Sequence, residues 1–216
     1  MRWEERDVVW EHIHWGSFLA AIVVILVVPG PDFVLVTSNA VVDRRAGWWT
    51  AAGCTSGLLV HAVAATAGLS AVLVAVPTAF VAVKVLGAAY LVYLGASAIV
   101  KAGRGASSDG PAAPSVTVRS PRAAFVRGVA NNVLNPKVML LFLTIVPQAM
   151  DPGADPVPQA MVLSGTVIAL FGLFWVLVVP SVRLLTGWLS RPRPRRLFER
   201  GCGAALIAMA ATLATA

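Results

Sequence analysis

The sequence predicts an all-α integral membrane protein, with six transmembrane helices in two inverted three-helix repeats and a break in the first helix of each repeat. Of the 216 residues, 58% are hydrophobic and only 12% are charged, whereas a soluble domain carries about 25% charged residues. Six apolar runs approach or exceed the length of a membrane span. One polar stretch divides them into two sets of three, so we expect a single transmembrane domain over residues 1–216.

Each apolar run is judged against a bilayer core about 30 Å thick, which needs about 20 helical residues. The second run is long enough to tilt or to include a turn outside the membrane. The sixth is the shortest. The predicted spans cover residues 16–39, 49–76, 79–100, 125–150, 160–185 and 201–216.

The positive charges predict the orientation of these spans. Lys and Arg follow the first, third and fifth runs, and none follow the second and fourth. Because cytoplasmic loops carry the excess of Lys and Arg, the odd-numbered loops are predicted to be cytoplasmic, with both termini outside. Contact of these basic residues with anionic membrane lipid then explains the net charge of +7. We therefore expect no nucleic-acid partner.

The polar stretch predicts how the two halves are related. Residues 101–122 include a segment rich in Gly, Ala, Ser and Pro and form the predicted cytoplasmic linker between repeat 1 (16–100) and repeat 2 (123–216). Three spans precede the linker. Since three is odd, the second repeat enters the membrane in the opposite orientation, as in many secondary transporters.

The first run of each repeat contains a helix breaker near mid-membrane. Pro29, Gly30 and Pro31 interrupt the first run, because each proline removes a backbone donor. In the fourth run, Asn135 suits an N-cap and Pro136 suits the first helical position, which predicts a helix that starts again inside the membrane.

A charged residue follows each break, namely Asp32 and Lys137. Ionisable residues inside a membrane normally face a partner or a wet cavity. We therefore predict that both line one polar cavity, paired or water-bridged when it is empty. A substrate ammonium would bind Asp32, and a carboxylate would bind Lys137 with the amides of Asn131 and Asn135. Pro29, Gly30, Pro31 and Pro136 would shape and hinge the same substrate-binding site. The alternative is that the kinks serve packing and that the two charges form a structural ion pair.

Motifs along most of the chain resemble the LysE/RhtB translocator family. They include Pro29-Gly30-Pro31-Asp32, Thr37-Ser38-Asn39-Ala40, Arg44-Arg45-Ala46-Gly47, Ala52-Gly53, Thr55-Ser56-Gly57, His61, Gly68-Leu69-Ser70-Ala71, Lys84, Gly87-Ala88-Ala89-Tyr90-Leu91, Tyr93-Leu94-Gly95, Asn135-Pro136-Lys137 and Pro147-Gln148. One departure is Asp43, where the family usually has Gly.

The resemblance implies an inner-membrane exporter of small amino acids, driven by the proton gradient. The segments Thr37-Ser38-Asn39 and Gly68-Leu69-Ser70-Ala71 most resemble the homoserine/threonine efflux branch of the family. Homoserine-, threonine- or lysine-like substrates are therefore expected, with protons as the second partner. A membrane-embedded enzyme and a structural membrane protein without transport activity remain the alternatives. Because the sequence lacks a phosphate-binding loop and a metal-ligand spacing, we expect no enzyme, no cofactor and no metal.

Four further residues each have two possible roles. His61 lies near mid-membrane, where it can relay protons together with Asp32 or serve only as a hydrogen-bonding group. Lys84 lies near the outer boundary, which favours a side chain that reaches the headgroups over a substrate contact. Gly53 and Gly57 have the spacing of a close helix contact, which favours packing within one protomer and leaves a homodimer open.

Overall fold

The structure is a computed structural model that describes residues 13–75, 77–103 and 120–215. These residues form helices connected by short segments. No strand occurs among those residues. Most of the predicted linker, the leader before residue 13 and the side chain of Lys84 lie outside the described part of the chain. In order, the elements are α1 (Trp15–Val27), α2 (Pro31–Val42), α3 (Arg44–Ala75), α4 (Pro77–Gly103), α5 (Pro121–Val133), α6 (Pro136–Leu140), a π-helical turn (Leu141–Ile145), α7 (Val146–Gln148), α8 (Pro156–Leu189) and α9 (Pro192–Thr215).

Within the described residues, two helical stretches are long and apolar enough to cross a membrane, Arg44–Ala67 and Pro156–Leu189. The bent pairs α1 with α2 and α5 with α6–α7 raise the number to four if each pair is one span. The described part of α4 contributes a shorter apolar stretch, Ala88–Val100. The described part of the chain is therefore all-helical, with membrane-length helices. Six spans related as inverted repeats stay a prediction.

Two helix boundaries differ from the sequence prediction. The arginine-rich stretch predicted as a loop after the fifth run is mostly helical, because α9 begins at Pro192, a residue whose fixed φ favours the first helical position. Arg195 and Glu199 pair at 2.8 Å across one turn of this helix. α3 also starts earlier than its predicted span, at Arg44, where Asp43 accepts hydrogen bonds from the next backbone amides. Of the two alternatives for the second run, the turn is absent from its described residues 49–75.

Both predicted helix breaks are present. The chain bends by 48° between α1 and α2 and by 51° between α5 and α6–α7. Pro31 and Pro136 each occupy the first position of the new helix. Asn135 caps α6, because its side-chain oxygen accepts a hydrogen bond from the Lys137 amide at 3.1 Å. Local sequence chemistry thus sets where each helix starts again.

Glycines bring α3 and α5 into backbone contact. A Cβ at Gly53 would lie 2.1 Å from the Phe125 carbonyl oxygen, and one at Gly128 would lie 2.3 Å from the Thr50 carbonyl oxygen. A Cβ at Gly57 would lie 2.8 Å from the Asn132 side chain. Gly53 and Gly57 therefore pack helices within one protomer, as the sequence favoured, and this contact fixes the height of α5 beside α3.

A second glycine contact joins α4 to α9. A Cβ at Gly95 would lie 2.6 Å from the Gly203 carbonyl oxygen, and the reverse distance is the same. Elsewhere, α1 packs against α8 and α9, and buried side chains of α1, the π-helical turn and α8, such as Phe18, Phe142 and Leu163, belong to one hydrophobic core. The two broken segments are thereby held against unbroken helices.

Candidate functional site

The two helix breaks face each other across a small cavity. Its polar wall comes from both breaks, with Gly30 and Asp32 on one side and Asn135 and Lys137 on the other. The other wall is apolar and is formed by Ile25, Leu26, Val28, Phe33, Val138, Phe171, Phe174 and Trp175. The structure therefore brings the two predicted charges to one cavity, although they are more than 100 residues apart in sequence.

The carboxylate of Asp32 is held by two amides from α5. Asn131 Nδ2 donates to one carboxylate oxygen at 2.6 Å, and Asn132 Nδ2 donates to the other at 2.8 Å. Asp32 is only 5% exposed. A buried carboxylate requires such donors, so the residues just before the second break compensate for the charge that follows the first break.

The ammonium of Lys137 binds the backbone of the first break. Its Nζ donates to the Val28 carbonyl oxygen at 2.5 Å. In a continuous helix, that carbonyl would accept from the amide of residue 32, so the break leaves it free for Lys137. The lysine stem runs past Gly30, where a Cβ would lie 3.3 Å from Lys137 Cδ. Gly30 therefore makes room for this side chain.

Asp32 and Lys137 form no ion pair with each other, so the directly paired form of the prediction and the alternative of a structural ion pair are both wrong, whereas a water bridge between them stays a prediction. Each charge instead binds polar groups of the opposite segment: the carboxylate binds two asparagine amides, and the ammonium binds a freed carbonyl. The physical reason is that a helix break supplies acceptors as well as room. The two charges still line the same cavity.

Asn132 is one of the site residues that were not predicted from the sequence. It is fully buried, and its Oδ1 has no hydrogen-bond partner. Its backbone carbonyl lies 3.2 Å from His61 Nε2. The His61 ring stacks on Phe142 in the π-helical turn, with centroids 5.7 Å apart. His61 is thus linked to Asp32 through Asn132 and does not contact the carboxylate directly.

Two further features near the cavity differ in their roles. Cys54 is buried and lies beside Asp32. Pro29, Pro31 and Pro136 are exposed and do not line the cavity. The prolines therefore shape the breaks without facing the cavity.

Three aromatic residues of α8 form much of the apolar wall. They were not predicted from the sequence to line the cavity. Phe171, Phe174 and Trp175 have the spacing of one helix face, a signal that was visible in the sequence. Phe174 and Trp175 pack edge to face at 5.0 Å. The cavity therefore combines charged groups at one side with an aromatic surface at the other, as a ligand with one charged end and one apolar end requires.

The cavity is closed in this conformation. It has about 20 Å³ of room for water-sized molecules, roughly the space of a single water. Ligand pockets are usually about 300 Å³ or larger. A solute larger than water can therefore enter only if the two broken segments separate.

Comparisons with known proteins agree over most of the chain. Residues 23–216 match the family described as LysE type translocator. An uncharacterized membrane protein of Bacillus subtilis is 26% identical over 197 residues, which are 88% of this chain and 93% of the relative. A leucine efflux protein of Klebsiella pneumoniae is 28% identical over 209 residues, 94% of this chain and 95% of the relative. No solved structure has significant similarity to the chain.

Proposed function

Because the chain belongs to the LysE-type translocator family, we propose that it exports an amino acid across the bacterial plasma membrane in exchange for protons. The observation that carries the proposal is the placement of Asp32 and Lys137 on one cavity between two broken helices. Broken helices at mid-membrane supply free backbone groups and charges to substrates in many secondary transporters. Membership of a translocator family favours transport over the membrane-embedded enzyme.

The contacts that close the cavity are those that a zwitterion can replace. A substrate ammonium takes the place of Lys137 at the Val28 carbonyl and approaches Asp32. The released Lys137 then binds the substrate carboxylate, together with the amide side chain of Asn135. Since each internal contact is exchanged for a charge-assisted contact with substrate, entry of the substrate opens the cavity without leaving a charge unpaired.

Asp32 is the proposed proton carrier. Its carboxylate holds the amides of Asn131 and Asn132 while it is ionised. Protonation removes the charge from both hydrogen bonds and weakens them, so α5 is released from α2. His61 lies next to this pair through the Asn132 carbonyl and is the proposed relay to the aqueous side. Export follows if proton and substrate favour opposite-facing states.

The apolar wall favours a substrate with an apolar side chain. Phe171, Phe174 and Trp175 offer no charged group to a lysine side chain. A leucine-like side chain fits such a wall. The similarity to a leucine efflux protein supports the same choice, so we place leucine-like substrates ahead of the homoserine, threonine and lysine expected from sequence.

The purified protein in vesicles tests the proposal. Vesicles loaded with labelled leucine are expected to release it when a pH gradient is imposed, and to release it slowly without one. The released solute should be chemically unchanged. Release that ignores the gradient would contradict proton coupling, and chemical conversion of the solute would favour an enzyme. A panel of amino acids in the same assay ranks the substrates.

The substitution Phe174→Ser tests the choice of substrate. It places a hydroxyl in the apolar wall at a half-buried position. We expect leucine efflux to fall about tenfold more than alanine efflux. The reason is that contacts with one or two methylene groups change discrimination between substrates by about 1–3 kcal/mol, or about 10- to 200-fold. Phe174→Leu is the matched control, since it keeps an apolar side chain and should retain the preference. Equal losses for both amino acids would show that the wall does not select the side chain.

A further inference from the structure

A second pocket lies at the far end of α2, between that helix and α8. It has a volume of about 230 Å³. Two arginines line it, Arg44 at the start of α3 and Arg183 near the end of α8. The rest of its surface is mainly aliphatic and includes Val41, Val42, Val179 and Val182. The pocket shares no lining residue with the cavity at the helix breaks.

Neither arginine is neutralised within the described part of the chain. Arg44 and Arg183 are exposed and make no side-chain hydrogen bond or ion pair there. The nearest acidic residue in sequence, Asp43, accepts hydrogen bonds from the backbone amides of Arg45 and Ala46, at 3.0 and 3.1 Å. Its carboxylate is therefore engaged in capping α3. Two guanidinium groups in one pocket are well suited to an anion with several oxygens.

The pocket lies at the boundary predicted to face the cytoplasm. Arg183 is 27 residues after the start of α8 at Pro156, which corresponds to about 40 Å of helix. Because this length exceeds the thickness of the bilayer core, Arg183 lies on the opposite side of the membrane from Pro156. Arg44 belongs to the first positive cluster, which has the same predicted side. Val42, which is 72% exposed, and Leu184, which is 77% exposed, lie beside the arginines. Positive groups above aliphatic groups match the layering of a phospholipid.

We propose that the pocket formed by Arg44 and Arg183 binds an anionic phospholipid of the cytoplasmic leaflet. The phosphate is held between the two guanidinium groups, as in basic pockets between helices that bind lipid headgroups. The first part of an acyl chain lies along the valines. An amino acid substrate has no long apolar chain to cover them, and free phosphate has none at all, so the aliphatic surface favours lipid over both.

Lipid retention measured by native mass spectrometry tests this site. The full-length protein is purified with phosphatidylglycerol or phosphatidylcholine present, as wild type, as Arg44→Gln/Arg183→Gln, and as Arg193→Gln. Arg193→Gln is the matched control, because Arg193 is an exposed arginine of α9 outside the pocket. We expect the double variant to retain at least about tenfold less phosphatidylglycerol than wild type, because each arginine near an anionic headgroup contributes about fivefold.

The control should retain phosphatidylglycerol like wild type, and phosphatidylcholine retention should be the same for all three proteins. The double variant removes two charges and the control removes one, so a loss in Arg193→Gln that is half or more of the loss in the double variant, on a logarithmic scale, would show an effect of net charge alone and would overturn the proposal. Two competition arms separate other anions from lipid. Displacement of phosphatidylglycerol by millimolar inorganic phosphate, or by leucine, would also overturn the proposal. Since retention is measured without transport, its failure would leave the exporter proposal intact.

Discussion

The substitution Asp32→Asn is expected to slow export driven by a pH gradient strongly, while the protein still folds and inserts. An amide cannot carry the proton, and it loses the charge that strengthens the contacts with Asn131 and Asn132. The fold can tolerate the change, because the new amide can donate to the Asn132 Oδ1 that has no partner. We expect the gradient-driven rate to fall about 10- to 100-fold, from the 1.5–3 kcal/mol of a hydrogen bond to a charged group.

The matched control is Asp155→Asn. Asp155 lies in the segment before α8, where its side chain accepts a hydrogen bond from the Val157 amide at 2.9 Å. Asparagine serves equally well in that capping role, so transport should be unchanged. Efflux of labelled leucine and the thermal unfolding temperature are measured for both variants. An Asp32→Asn protein that couples efflux to protons at the normal rate would rule out Asp32 as the carrier.

The substitution Gly53→Ala is expected to reduce the amount of folded protein severely. The new methyl group would lie 2.1 Å from the Phe125 carbonyl oxygen and 3.1 Å from Gly128 Cα. Both are main-chain atoms, so α3 and α5 must move apart. Overpacking costs about 1–3 kcal/mol and sometimes more. Because Asn131 and Asn132 belong to α5, the same movement draws them away from Asp32.

Gly165→Ala is the control for helix propensity. Gly165 is in α8, and a Cβ there would have no atom within 4 Å. Alanine favours a helix interior by about 1 kcal/mol relative to glycine, so this variant should be at least as stable as wild type. Yield and unfolding temperature in detergent decide the comparison. Equal stability of the two variants would mean that α3 and α5 can separate at little cost.

Local features of the site were predictable because they depend on neighbouring residues. The proline and glycine at 29–31 remove hydrogen bonds within their own turn, and Asn135 caps the helix that follows it. The same holds for the choice of Asp32 and Lys137 as charges that need partners. Each of these inferences follows from chemistry within a few residues, and the structure contains the breaks where the sequence placed them.

The partners of the charges were not predictable, because they depend on how α2 and α5 are aligned. Asn131 and Asn132 both reach Asp32 only because glycines let α5 lie against α3 at one height. Periodicity gives a helix its faces but gives no offset along a neighbour. The same limit explains why Lys137 was matched with a carboxylate when its contact is the Val28 carbonyl.

The hydrogen bonds from the asparagines to Asp32 connect residues that are 99 and 100 positions apart. A ribosome adds about 5–20 residues per second, so Asn131 and Asn132 are synthesised about 5–20 seconds after Asp32. During that time, a bare carboxylate in lipid would cost at least about 2.5–3.5 kcal/mol. The first half of the newly made chain must therefore shelter this group next to water, in the insertion machinery or at the bilayer surface, until the second half arrives.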